Sequence, residues 1–72
     1  MEHPTDAMKA TRERQVARAR DRYGVECAAM PAWPTTAMHD AAMDRLHMRI
    51  RREFGDDIAA EAWAQFREFK GW

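Results

Sequence analysis

The sequence predicts an all-α fold: a small three-helix domain with helices at about residues 5–23, 36–54 and 57–70, and a Pro- and Trp-containing linker between the first two. Three observations carry this. The abundant Ala, Arg, Glu and Met all favour helix. Apolar residues recur at helical spacing in three separate stretches. Each of the three glycines, Gly24, Gly55 and Gly71, follows one of those stretches, where a helix is expected to end.

Taking the elements in order, Thr5 is a capable N-cap for the first helix, and Asp6 falls in the first turn, where the helix dipole favours an acid. Gly24 reads as the left-handed residue that closes this helix after Tyr23, with Val25 giving the apolar contact just beyond. Met8, Val16, Ala19 and Tyr23 share one face at 100° per residue, interrupted by Arg12. Glu26 to Met30 has room for one further helical turn before Pro31 and Pro34 break the chain on either side of Trp33. Thr35 or Thr36 caps the second helix, which ends at Phe54 with Gly55 beyond it. His39, Met43, Leu46, Ile50 and Phe54 lie on one face, with His47 at its edge. Asp56 or Asp57 is expected to cap the third helix, whose stripe is Ile58, Ala62, Phe66 and Phe69, flanked by Trp63. The short Gly55-Asp56-Asp57 link forces the second and third helices into a hairpin.

With 72 residues, the chain has room for one domain, residues 1–72. A chain of this size buries roughly 60% of its unfolded surface, so its stability is marginal. Branched aliphatics are few: Val16, Val25, Leu46, Ile50 and Ile58. Self-association is one common remedy for so thin a core, and a homodimer is an open expectation. Cys27 is the one cysteine, so no internal disulfide can form. The polar, acidic first residues have no apolar run behind them, which predicts neither a signal peptide nor a membrane span and points to the cytoplasm. Ten Arg against two Lys suggests a GC-rich bacterial or bacteriophage genome.

Formal charge is balanced, twelve basic against twelve acidic side chains, which argues against a protein that simply coats nucleic acid. The balance conceals segregation. Residues 45–52 carry Arg45, Arg49, Arg51 and Arg52 without an acid, and residues 53–61 carry Glu53, Asp56, Asp57 and Glu61 without a base. Arg14, Arg18 and Arg22 form one strip at helical spacing, and Arg45, Arg49 and Arg52 a second. Either strip suits a phosphate backbone. Each equally suits a solvated surface paired with the acidic block, which is the more ordinary arrangement. The second and third helices have helix-turn-helix length, but the acidic start of the third is wrong for reading bases.

Catalytic chemistry is poorly provided for. His3, Cys27, His39 and His47 are the soft metal ligands, and no pair has zinc-site spacing; His39 and His47 stand roughly 12 Å apart along one helix. No metal and no cofactor is expected. Cys27 lies beside Ala28 and Ala29, the setting of a packed hydrophobe and not of a nucleophile with an imidazole at hand. There is no serine. Asp40 and Asp44, one turn apart on a polar face, read as an ordinary exposed pair. The chain is therefore expected not to be an enzyme.

What remains is surface. Trp33, Trp63 and Trp72 lie at stripe edges, in a linker or at the terminus, and Trp and Arg are the residues most enriched in binding hot spots. Met38 and Met48 point away from the Leu46 and Ile50 face, so the second helix is apolar on two sides. These residues suit either completion of a small core that lacks leucine or, the preferred reading, docking onto a larger protein or nucleoprotein complex. A nucleic-acid-binding regulator using the Arg strips is the alternative. In size, helicity and lack of catalytic motifs the chain resembles accessory proteins of bacterial viruses and mobile elements. These include anti-CRISPR proteins and small regulators of RNA polymerase. The resemblance implies inhibition or modulation of a host system; it rests on no motif and assigns no residue a role.

Overall fold

The computed structural model describes the backbone of residues 4–72 and the side chains from Ala7 onward, so His3 and the Thr5 and Asp6 side chains lie outside what is described. Its elements are α1 (Pro4–Ala29), α2 (Thr36–Phe54) and α3 (Asp56–Lys70), with no strand among the described residues. The all-α, three-helix fold read from the sequence is present.

α1 does not stop at Gly24. It continues to Ala29, where Met30 N–H closes a tighter last turn on Cys27 O at 3.3 Å. A glycine inside a helix costs about 1 kcal/mol relative to alanine. Tertiary packing offsets this: Val16, Ala19 and Tyr23 are buried, and Cys27 and Met30 extend the same face against the core. Val25, expected to close the helix end by an apolar contact, is instead 66% exposed.

α2 begins as the sequence implies. Thr35 is extended, with φ −133° and ψ 152°, and its hydroxyl accepts from Met38 N–H at 3.2 Å. The junction of α2 and α3 is shorter than expected. Gly55 alone joins them: its N–H bonds Arg51 O at 2.8 Å and its carbonyl accepts from Ala59 N–H at 3.0 Å. Its φ of 92° with ψ of 158° lies in a region essentially reserved for glycine. Neither Asp56 nor Asp57 caps α3 through its side chain. Once one residue turns the chain, both already stand in the first helical turn, where they complement the dipole.

α3 ends in a complete Schellman closure. Gly71 is left-handed (φ 75°, ψ 28°), Trp72 N–H bonds Arg67 O at 2.9 Å, and Gly71 N–H bonds Glu68 O at 3.2 Å. The accompanying apolar contact is Trp72 on Phe66, edge to face at 5.6 Å.

The core consists of Val16, Ala19 and Tyr23 from α1, Leu46 and Ile50 from α2, and Ile58, Ala59, Ala62 and Phe66 from α3. α1 and α3 make the most extensive interface. Ala19, Ala59 and Ala62 are almost wholly enclosed there, and these small side chains allow the two helices to approach closely. The helices run parallel, since Arg12 meets Glu61, Arg20 meets Gln65 and Gly24 meets Phe66. Three stripe assignments fail. Met8 is 75% exposed, because the first turns of the 26-residue α1 find no apolar partner on the 15-residue α3. Phe69 is 82% exposed, because the buried arc of α3 is rotated towards Ala59 and Trp63 and leaves Phe69 at its trailing edge. His39 is likewise exposed, at the open end of α2.

The two interior glycines predict opposite mutational signs. A Cβ at Gly24 would meet Phe66 Cε2 at 3.8 Å, an ordinary contact. Gly24→Ala should therefore gain up to about 1 kcal/mol, raising Tm by roughly 4–8 °C. Gly55→Ala should lose about 1–3 kcal/mol through backbone strain. Thermal melts of both variants followed by circular dichroism check this, and a gain in the second would contradict the turn described.

Candidate docking surface

Two constellations of functional side chains emerge, one inside and one outside. The inner one joins all three helices. Tyr23 Oη lies 2.8 Å from His47 Nδ1. Trp63 packs on both, at 5.0 Å from the Tyr23 ring and edge-on at 4.6 Å from the imidazole. Burial pushes the tyrosine pKa up, with opposition from the Arg51 charge, so the phenol stays protonated and donates. Burial pushes the His47 pKa down, aided by Arg51 and opposed by Asp44, which favours the neutral ring; in its Nε2–H tautomer Nδ1 accepts from the phenol. Trp72 rests against Trp63 at 6.2 Å, still 60% exposed. Trp63 and Trp72, both read from the sequence as docking residues, take part in the fold's aromatic cluster, with Trp63 half-buried and Trp72 largely exposed.

The outer constellation is a groove between the end of α1, the linker and α2. Met30, Pro31, Trp33, Ala42 and Met48 line it, and Arg45, Arg49 and Arg52 stand along the α2 side. It exists because α2 has two faces. Leu46 and Ile50 turn into the core, while residues 38, 42, 45, 49 and 52, spaced by four and three, make a second stripe about 100° round the helix from them. Met48 borders this stripe and is 59% exposed. Met38 belongs to the stripe but lies a turn before the groove, also exposed. Trp33 is half-buried, and its Nε1–H is enclosed without an acceptor among the described residues, an unmet donor worth about 1–3 kcal/mol.

The Arg strips are not uniform. Arg22 Nη1 donates to both oxygens of Glu53, at 2.9 and 3.2 Å, and its Nε lies 3.9 Å from Glu26. Arg49 reaches the same Glu26 at 3.4 Å. Two arginines and two glutamates thus alternate across the α1–α2 crossing, each strip neutralised partway along its length. The sequence signal for this network was the Arg22–Glu26 spacing of four, which the reading by strips overlooked. Arg14 donates to Thr11 Oγ1 at 3.2 Å. Arg14, Arg18, Arg45 and Arg52 make no ion pair among the described residues.

A second groove runs between α1 and α3, where exposed Val25 and Phe69 flank Gly24 and Phe66. Cys27 is half-buried and far from an activated thiol: burial and Glu26 raise its pKa above the ordinary 9.0, against a smaller lowering by Lys70. Among the described residues no three His, Cys, Asp or Glu side chains are grouped to hold a metal ion, and no helix is long and apolar enough to cross a membrane.

Two predictions follow from these protonation states. His47 binds its proton less tightly folded than unfolded, so its contribution to stability is complete above about pH 6.5 and is lost as pH falls through the lowered native value. Urea midpoints measured from pH 7.5 down to 5 should decline, and His47→Asn should flatten the decline; an unchanged slope would exclude His47 as its source. Cys27 should alkylate with iodoacetamide several-fold more slowly than a free thiol at pH 7.5 and reach the free rate once urea unfolds the chain. A native rate equal to the unfolded one would contradict its burial.

Comparison with known proteins finds no matching family model, and no curated protein or solved structure with significant similarity to the chain.

Proposed function

We propose that this chain is a non-enzymatic cytoplasmic docking protein whose α1–linker–α2 groove seats on a larger protein or nucleoprotein assembly and modulates or inhibits it. One observation carries the reading. Ala29 from α1, Met30 and Trp33 from the linker, and Met48, Arg45, Arg49 and Arg52 from α2 converge on a single groove although α1, the linker and α2 are separate stretches of sequence. An indole, a flexible thioether and guanidinium groups around an apolar floor have the composition of a hot-spot cluster with a polar rim. The Cys27 thiol, held protonated by burial, is in keeping with a role without chemistry of its own.

The alternative, phosphate-backbone binding, is favoured by Arg14, Arg18, Arg45 and Arg52, which make no ion pair among the described residues. It is weakened by Glu26 and Glu53, which place negative charge amid both strips. Such binding would fall with salt at a log–log slope of about −0.9 per phosphate contacted.

Affinity capture from lysate of the source cell tests the docking reading when run with paired variants. Met48→Glu, in the groove, should cost a hot-spot energy of about 2 kcal/mol or more, roughly a thirtyfold loss of captured partner. Met8→Glu, exposed and remote, should capture as the parent does. Equal capture by both variants, or partners that are nucleic acids alone, would remove the reading.

A further inference from the structure

Resting on the docking reading, we propose the class of occupant: an acidic amphipathic helix supplied by the partner protein. The groove's walls are helices whose backbone groups are already hydrogen-bonded, and Pro31 has no N–H to offer. An extended peptide would find no strand edge to pair with, whereas a helix needs apolar pockets alone for its buried face. The floor supplies them through Met30, Pro31, Trp33, Ala42 and Met48.

The rim decides the charge of the occupant. Arg45, Arg49 and Arg52 are spaced by four and three along α2, a span of about 10 Å. Among the described residues Glu26 is the single acid lining the groove, and its carboxylate is already shared between Arg22 and Arg49. Arg45 and Arg52 are left facing solvent without a counter-charge among the described residues. Carboxylates at i, i+4 and i+7 on a facing helix repeat the same rise and would meet all three guanidiniums while the apolar stripe beside them enters the floor. A nucleic-acid backbone matches the rim but brings nothing apolar to a floor built of Met, Pro and Ala, and Trp33 is the one aromatic ring there on which a base could stack.

Fluorescence anisotropy of labelled peptides against the full chain tests this. The probe is an 18-residue helix-forming peptide with Leu at i, i+3, i+4 and i+7 and flanking Glu. Controls are the same peptide with Lys for Glu, a scramble of the acidic peptide lacking the stripe, an oligouridine and a short DNA duplex. The acidic amphipathic peptide should bind at least tenfold more tightly than every control and weaken as salt rises. Arg45→Glu with Arg52→Glu, exposed positions whose folding is checked by circular dichroism, should lose at least tenfold and turn the preference towards the Lys peptide. Val25→Asp in the α1–α3 groove should change nothing.

Equal binding of the Lys peptide or the scramble overturns the proposal. So does displacement of the probe by oligonucleotide, or light scattering that shows a second copy of the chain filling the groove. If no peptide binds while Met48→Glu still abolishes capture from lysate, the docking reading stands and the acidic helix fails. If Met48→Glu leaves capture intact as well, both fall.

Discussion

The hydrogen bond between Tyr23 and His47, roofed by Trp63, ties one residue from each helix into a single contact. The bundle depends on it because its aliphatic core is so small. α2 gives the interior two fully enclosed side chains, Leu46 and Ile50. A satisfied polar contact in a half-dry setting adds direction where area is scarce. It accepts one geometry and fixes the rotation of α2 about its axis.

That rotation has consequences outside. With His47 turned to Tyr23, the stripe of residues 38, 42, 45, 49 and 52 must face the other way, towards the end of α1 and the linker. The continuation of α1 through Gly24 provides the opposite wall: had the helix ended there, Glu26, Ala29 and Met30 would not stand alongside α2. Outer groove and inner contact are therefore two results of one orientation. The four-charge alternation of Arg22, Glu53, Glu26 and Arg49 spans the same crossing. As exposed pairs, these add little to stability individually, but they place the arginines of the rim.

Features set by local chemistry were legible in the residues. The limits of α2, the Thr35 cap, the end of α3 at Gly71 and the two-faced character of α2 each follow from a few neighbouring side chains. Features set by distant contacts were not. Gly24 carries a strong local stop signal that yields to packing by Tyr23, Cys27 and Met30. Phe69 obeys the helical arithmetic of its stripe, yet the register of α3 against α1 decides which edge is covered, and that register depends on the alanines of the partner surfaces. Asp56 and Asp57 are good caps in isolation, but the unusual backbone of Gly55 shifts both inside the helix. The candidate docking residues fall in two places: Trp63 and the still exposed Trp72 join the aromatic cluster, while Trp33, Met48 and the α2 arginines assemble outside it. Separating them required the path of the linker, which two prolines restrict without specifying.

The groove also lies on the element least anchored by burial. α1 and α3 are joined through enclosed alanines, Tyr23 and Phe66, whereas α2 is held by two aliphatics, partly covered Met43 and Phe54, and the polar contact at His47. Elements with few buried contacts open at lower free energy than the rest of a domain. An occupant covering Ala42 and Met48 would add apolar burial to that helix, and any ligand selective for the folded state raises stability by mass action. Occupancy and the integrity of α2 are thereby coupled. The thin core that leaves this chain marginal alone is also what makes a partner's contact with its outer face count for so much.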